Sequence, residues 1–112
     1  MQFTQSLKKT IQFRRVYGRK RSVANRFLVL YVLRNGSDKN KLGISVSKKV
    51  GKSVIRSRVT RLIRESYRLL EYRVKFGYDL VFVARHSAAE ASFKDISKSM
   101  EQLLIKHDLL LM

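Results

Sequence analysis

The spacing of hydrophobic and polar positions changes several times along the chain, and each change marks an element. Between Ser6 and Tyr17, Leu7 and Ile11 fall on one helical face and Phe13, Val16 and Tyr17 on another. This predicts a short helix with two apolar faces, closed by Gly18. The run Phe27-Leu28-Val29-Leu30-Tyr31-Val32-Leu33 is apolar throughout and stops at Asn35-Gly36, so it reads as a buried strand ending in a turn, with a hairpin to follow. Leu42, Ile44 and Val46 then alternate with Gly43, Ser45 and Ser47, the period of a strand with one packed face and one small, polar face. Beyond the loop Lys48-Lys49-Val50-Gly51-Lys52, the residues Ile55, Val59, Leu62, Ile63, Leu69 and Leu70 recur at helical spacing as far as Arg73, giving the longest helix. Gly77 leads into a strand at Leu80-Val81-Phe82-Val83-Ala84. Ser92 with Asp95 three residues on opens a last helix in capping-box fashion, its buried stripe being Phe93, Ile96, Met100, Leu103 and Leu104. The order helix, strand, strand, helix, strand, helix is an α+β arrangement, with helices packed on a small mixed sheet.

With 112 residues and 45% hydrophobic content, the chain supports one domain with one core, spanning residues 1–112. It holds no cysteine, which excludes disulfides, thiolate metal sites and cysteine nucleophiles. The opening Met1-Gln2-Phe3-Thr4-Gln5-Ser6 lacks the order of a signal peptide, and no stretch approaches the ~20 apolar residues of a membrane span. A cytoplasmic protein without membrane association is expected.

Charge changes the picture most. The net charge is +17, and its distribution is uneven: residues 1–64 carry 18 basic side chains against one acid, Asp38, whereas residues 65–112 carry seven of each sign. A localised surface for a polyanion follows, nucleic acid above all. At 100° per residue, Arg58, Arg61, Arg64 and Arg68 share an arc opposite Ile55, Val59, Leu62 and Leu69, and Lys48, Lys49, Lys52 and Arg56 lead into that helix without an acid. Arginine predominates on the helix, which suits bidentate phosphate recognition. Phe13 and Tyr17 lie one turn apart among Arg14, Arg15, Arg19, Lys20 and Arg21. They either pack into the core or stack on unpaired bases, and composition favours the core. His86 and His107 sit apart from any serine or acid pair and read as lone surface histidines. No catalytic dyad, carboxylate metal site or phosphate-cradling glycine loop can be assembled, so neither an active site nor a cofactor is expected in the protein.

The segment Gly43-Ile44-Ser45-Val46-Ser47-Lys48-Lys49-Val50-Gly51, followed by Arg56-Ser57-Arg58-Val59-Thr60-Arg61-Leu62-Ile63-Arg64-Glu65, resembles the signature of the bacterial ribonuclease P protein subunit. Upstream, Phe13, Val16, Tyr17, Ser22, Asn25, Arg26, Val29, Leu30 and Tyr31 resemble the family's first helix and strands in order and spacing, so the similarity covers nearly the whole chain. It implies an α-β-β-β-α-β-α order and a fold like the second domain of ribosomal protein S5, with a left-handed β-α-β crossover where general rules favour the right hand. It also implies an RNA subunit that cleaves precursor transfer RNA using Mg2+, with this chain as a monomeric partner inside the ribonucleoprotein. Carried over, the RNA-subunit contacts are Lys48, Lys49, Lys52, Arg56, Arg58, Arg61, Arg64 and Arg68. The residues for the precursor's 5′ leader are Phe13, Arg14, Tyr17, Val29, Tyr31, Ser45 and Ser47, with the small side of Gly43, Ser45 and Ser47 leaving room for a single strand. Ser57 stands where the family usually has asparagine; as both are good helix caps, Ser57 is expected to cap the arginine helix, with Arg56 in the loop before it. Tyr17 replaces a common phenylalanine, and Lys52 adds a cation. A ribosomal protein, or a module placing the arginine helix in a DNA groove, are the competing readings; co-migration with ribosomal subunits and competition by duplex DNA distinguish them.

Overall fold

A computed structural model describes residues 3–18 and 21–111. Three helices and five strands follow one another as β1 (Thr4–Ser6), α1 (Thr10–Gly18), β2 (Ser22–Ala24), β3 (Leu28–Arg34), β4 (Asn40–Ser45), α2 (Ser53–Leu70), β5 (Tyr78–Ala84) and α3 (Phe93–Lys106). The strands form one mixed sheet in the order β1-β4-β5-β3-β2. β4 runs parallel to β1 and to β5, while β3 is antiparallel to β5 and β2. β4, α2 and β5 therefore make a β-α-β crossover between neighbouring parallel strands.

The expected hairpin after Asn35-Gly36 is not formed, because β5 lies between β3 and β4. Asn35 turns the chain away instead: its N–H bonds the Gly77 carbonyl at 2.9 Å, and its side-chain amide donates to the Asp79 carboxylate at 3.0 Å. Buried Asn40 completes the junction, donating to the Lys75 carbonyl and accepting from the Tyr78 N–H. The central place suits β5, whose side chains are apolar on both faces: Leu80, Phe82 and Ala84 point into one core, Val81 and Val83 into another.

On the first face α2 and α3 cover the sheet, packing Val59, Ile63, Tyr67, Ile96, Met100, Leu103 and Leu104 against Leu28, Leu30, Val32, Leu42, Leu80 and Phe82. The capping box at Ser92 and Asp95 forms as expected, and the bonds from Ser92 hold the Asp95 carboxyl below its usual pKa. Phe93 and Leu69, both expected in buried stripes, are 39% and 47% exposed. Phe93 is the first residue of its helix and overhangs the core, and Leu69 lies on the solvent side of the turn that seats Ser66 and Leu70.

On the second face only α1 packs, with Val16 buried and Phe13 and Tyr17 half-buried. This helix begins at Thr10, not Ser6. The Leu7 N–H continues the β1 ladder by bonding the Leu42 carbonyl at 2.8 Å, so Leu7 reaches the second core from a strand, and Ile11 is left 63% exposed. β1 was invisible as a polar three-residue segment; it is fixed by Thr4, hydrogen-bonded to the Tyr67 hydroxyl at 2.9 Å, and by the Phe3 N–H, which donates to Glu71. α2 starts at Ser53 with Lys52 as its N-cap, and the Arg56 N–H bonds the Lys52 carbonyl. Ser57 is thus inside the helix, and Arg56 is helical. Gly51, with φ of 153°, ends the short 3-10 turn Lys48–Val50 and releases the chain into the helix earlier than a cap at Ser57 would.

His107 is not a free surface histidine: its ring nitrogen lies 3.2 Å from the Leu30 carbonyl, and burial pushes its pKa below the ordinary value of about 6.5. The folded state thus favours the neutral ring, and as pH falls through ~6.5 the unfolded chain takes up the proton first. Stability is expected to be complete above that pH and to decline below it. Urea unfolding at pH 7.5 and 5.5 checks this: the loss at the lower pH should shrink in His107→Gln.

Candidate nucleic-acid interface

The cationic side chains of α2 do not form one uniform stripe. Arg61 and Arg64 are exposed, and among the described residues neither makes an ion pair. Arg68 is exposed but bonds Glu65 through Nε and Nη2 at 3.2 and 3.0 Å; such an i,i+3 surface pair contributes little and exchanges readily for a phosphate. Arg58, at the flank of the arc, sends Nη2 to the Ala91 carbonyl at 2.8 Å and Nη1 to the Ala89 carbonyl at 3.4 Å. It braces the segment before α3 while keeping part of its surface in solvent. Arg56 turns to the other flank, its Nε buried without a partner, and with Ile44, Val46, Ser53, Ser57, Thr60 and Arg64 it lines a groove of about 440 Å³.

Lys48, Lys49 and Lys52 are exposed just before the helix. The first turn of α2 contains no acid, and its N-cap makes no side-chain hydrogen bond. Free amide N–H groups and the positive end of the helix dipole therefore sit beside these lysines. This end of the molecule attracts an anionic chain and offers both point charges and forked donors to hold it.

The second surface lies on the opposite face of the sheet. Strand register places Gly43, Val81 and Tyr31 in one row across β4, β5 and β3, and Ser45, Val83 and Val29 in the next. α1 covers the first row: the Tyr17 ring meets Tyr31 edge-on with centroids 4.8 Å apart, and Phe13 follows at 6.3 Å from Tyr17. The second row is half-exposed and lies beside the rings. Phe13, Tyr17 and Tyr31 pack against a core cluster and remain half-exposed. Gly43 offers no open space, being filled by Phe13.

Of the residues singled out in the sequence, Phe13, Tyr17, Val29, Tyr31 and Ser45 come together here. Arg14 and Arg15 are exposed on α1, whereas Ser47 lies beyond the end of β4, before the 3-10 turn, and not in the row. Arg19 and Lys20 fall outside the described residues. Sequence reasoning missed Val83, whose place in the floor depends on a strand pairing that periodicity does not reveal. It also missed the bracing role of Arg58, whose partners are backbone carbonyls. Among the described residues no cluster of three or more His, Cys, Asp or Glu side chains is placed to hold a metal ion, and no helix is long and apolar enough to cross a membrane.

Fold and surfaces together define a small cationic α+β domain with a basic crossover helix on one face of its sheet and a half-exposed row beside aromatic rings on the other. The family profile for ribonuclease P matches residues 1–108, and the chain belongs to that family. It is 52% identical over 107 residues to the ribonuclease P protein component of Clostridioides difficile, covering 95% of this chain and 94% of that one. The ribonuclease P protein component of Caldanaerobacter subterraneus is 55% identical over 100 residues, covering 89% and 86%. Among solved structures, the Staphylococcus aureus RNase P protein superposes with a TM-score of 0.86 at 35% identity, covering 94% and 96% of the two chains. The Thermotoga maritima RNase P protein gives 0.82 at 25% identity, covering 91% and 96%.

The different settings of the arginines make a prediction. Arg58→Ala should lower the unfolding free energy by about 1 kcal/mol through the loss of charge-assisted bonds to two carbonyls, while Arg61→Ala leaves it unchanged. Urea denaturation of the two variants, followed by circular dichroism, checks the contrast.

Proposed function

We propose that this chain is the RNA-binding protein subunit of a ribonuclease P, and that it holds both the catalytic RNA and the 5′ leader of precursor transfer RNA while the leader is removed. The basic end and outer side of α2, with Lys48, Lys49, Lys52, Arg56, Arg58, Arg61, Arg64 and Arg68, bind phosphates of the RNA subunit. The groove of Phe13, Tyr17, Val29, Tyr31 and Ser45 receives the leader, with Arg14 and Ser47 at its margins. Phosphodiester chemistry belongs to the RNA and the Mg2+ it carries. This chain's part is to bind, orient and exclude water around the leader, as a cytoplasmic monomer within the ribonucleoprotein.

The observation that carries this reading is the half-exposed row Ser45, Val83 and Val29 beside a ladder of three aromatic rings. A floor of two valines and a serine beside aromatic rings, with Arg14 and Arg15 exposed on the helix that carries two of them, suits unpaired nucleotides, whose bases stack and whose phosphates need positive partners.

Two measurements test the two surfaces separately. Phe13→Ala with Tyr31→Ala should weaken holoenzyme affinity for a precursor carrying a several-nucleotide leader by ~1–3 kcal/mol per missing stack, and barely alter affinity for mature transfer RNA. Equal losses for both ligands, in a variant that folds and binds the RNA subunit normally, would reject the leader groove. Arg61→Ala with Arg64→Ala should weaken RNA-subunit binding and reduce the slope of log affinity against log salt by about one unit or less for each phosphate no longer neutralised. An unchanged slope in a salt titration would reject the α2 surface.

A further inference from the structure

Glycine in the middle of a strand weakens it unless a special conformation or a close neighbour requires the missing side chain. Gly43 is buried in β4, between Leu42 and Ile44, and paired across to Val81. Its backbone is ordinary: the glycines with positive φ are Gly36, Gly51 and Gly77. What it has is a close neighbour. A Cβ built on Gly43 would stand 2.7 Å from Phe13 Cε1, 2.8 Å from Phe13 Cζ and 3.2 Å from Leu7 Cδ1. The first two lie far inside van der Waals separation. The Phe13 ring therefore rests on the bare backbone of β4, where any other residue would hold it off.

That seat has consequences beyond Phe13. α1 is nine residues long, and Val16 is its one fully buried side chain. Its height over the sheet is set by few side chains, Phe13 on its seat among them. From Phe13 the rings continue through Tyr17 to Tyr31, so displacing the first ring alters the wall of the groove over Ser45, Val83 and Val29. The clashing atoms are the far end of a side chain that is half-exposed, so a methyl group at Gly43 would push the ring outward while the sheet stays intact.

We infer that Gly43 is a positioning residue for single-strand recognition: by admitting the Phe13 ring onto the β4 backbone, it sets the depth and ring alignment of the groove that takes the leader. This rests on the leader reading of that groove. Gly43 touches no nucleotide and acts through Phe13, which separates its effect from the removal of a group that itself binds a base.

The test is a double-mutant cycle in the reconstituted holoenzyme, using Gly43→Ala, Phe13→Ala and both together, with the ratio of affinities for precursor and mature transfer RNA as the readout. RNA-subunit binding and circular dichroism of each variant report the fold, and the double variant relieves the clash should Gly43→Ala alone fold poorly. Gly43→Ala is expected to reduce the ratio about tenfold, the equivalent of one stack, and the double variant should be no worse than Phe13→Ala. Independent, multiplying effects would overturn the proposal, as would a ratio untouched by Gly43→Ala. In the second case a ratio lowered by Phe13→Ala leaves the leader groove standing and removes only the role of Gly43. A ratio unaffected by Phe13→Ala removes both.

Discussion

The fold depends on a central strand that must be covered on both faces. β5 has no polar side to offer solvent between Leu80 and Ala84, so the sheet around it has to be sandwiched. The crossover helix α2 and the C-terminal α3 cover most of one face. The other face receives one short helix, which at ~1.5 Å per residue cannot span the length of the strands it lies on. A sheet buried on one side and partly roofed on the other has an open groove along the edge of its roof. The half-exposed row Ser45, Val83 and Val29 is thus a geometric remainder of covering five strands with three helices, and it continues the row Gly43, Val81 and Tyr31 that the roof protects.

Electrostatics divides the molecule in the same economical way. Glu65, Glu101 and Asp108, which pair with cations, come from the second half of the chain. Arg61 and Arg64 project from α2 before the first acid of that helix, and three lysines precede it. Repulsion among these groups works against folding and is tolerable because α2 is anchored on its inner side by Val59, Ile63 and Tyr67, all fully buried. A polyanion relieves that repulsion on binding, so the same charges that burden the free protein favour its complex.

Much of this was legible in the chain, and the exceptions have definite causes. The continuous apolar run of β3, the alternation in β4 and the Ser92 cap are local signals, and each element formed where its signal lay. The clustering of Phe13, Tyr17 and Tyr31 could be anticipated from helical spacing and strand parity once the helix was placed across the sheet. What periodicity could not supply was pairing. Nothing local in Asn35-Gly36 distinguishes a hairpin turn from a turn that hands the chain to a distant strand; the difference lies in Gly77 and Asp79, more than forty residues away. Thr4–Ser6 carries no hydrophobic signal because it is held by main-chain bonds to β4 and by the Tyr67 hydroxyl, which bonds Thr4. Arg58 looked like one of four equivalent arginines because its bonds go to main-chain carbonyls, which leave no trace in residue identity.

The tie of β1 to α2 bears on how the chain assembles during synthesis. Thr4–Ser6 leaves the ribosome before all of its partners: its ladder partner is Asn40–Leu42, Thr4 is anchored on Tyr67, and the Phe3 N–H beside it on Glu71. This strand therefore waits until the chain has emerged as far as Glu71, and closes the sheet as a late, long-range event rather than nucleating it. Until then the outer edge of β4 has no partner, and Lys41 within the strand and Lys39 before it are charges that discourage pairing with another chain.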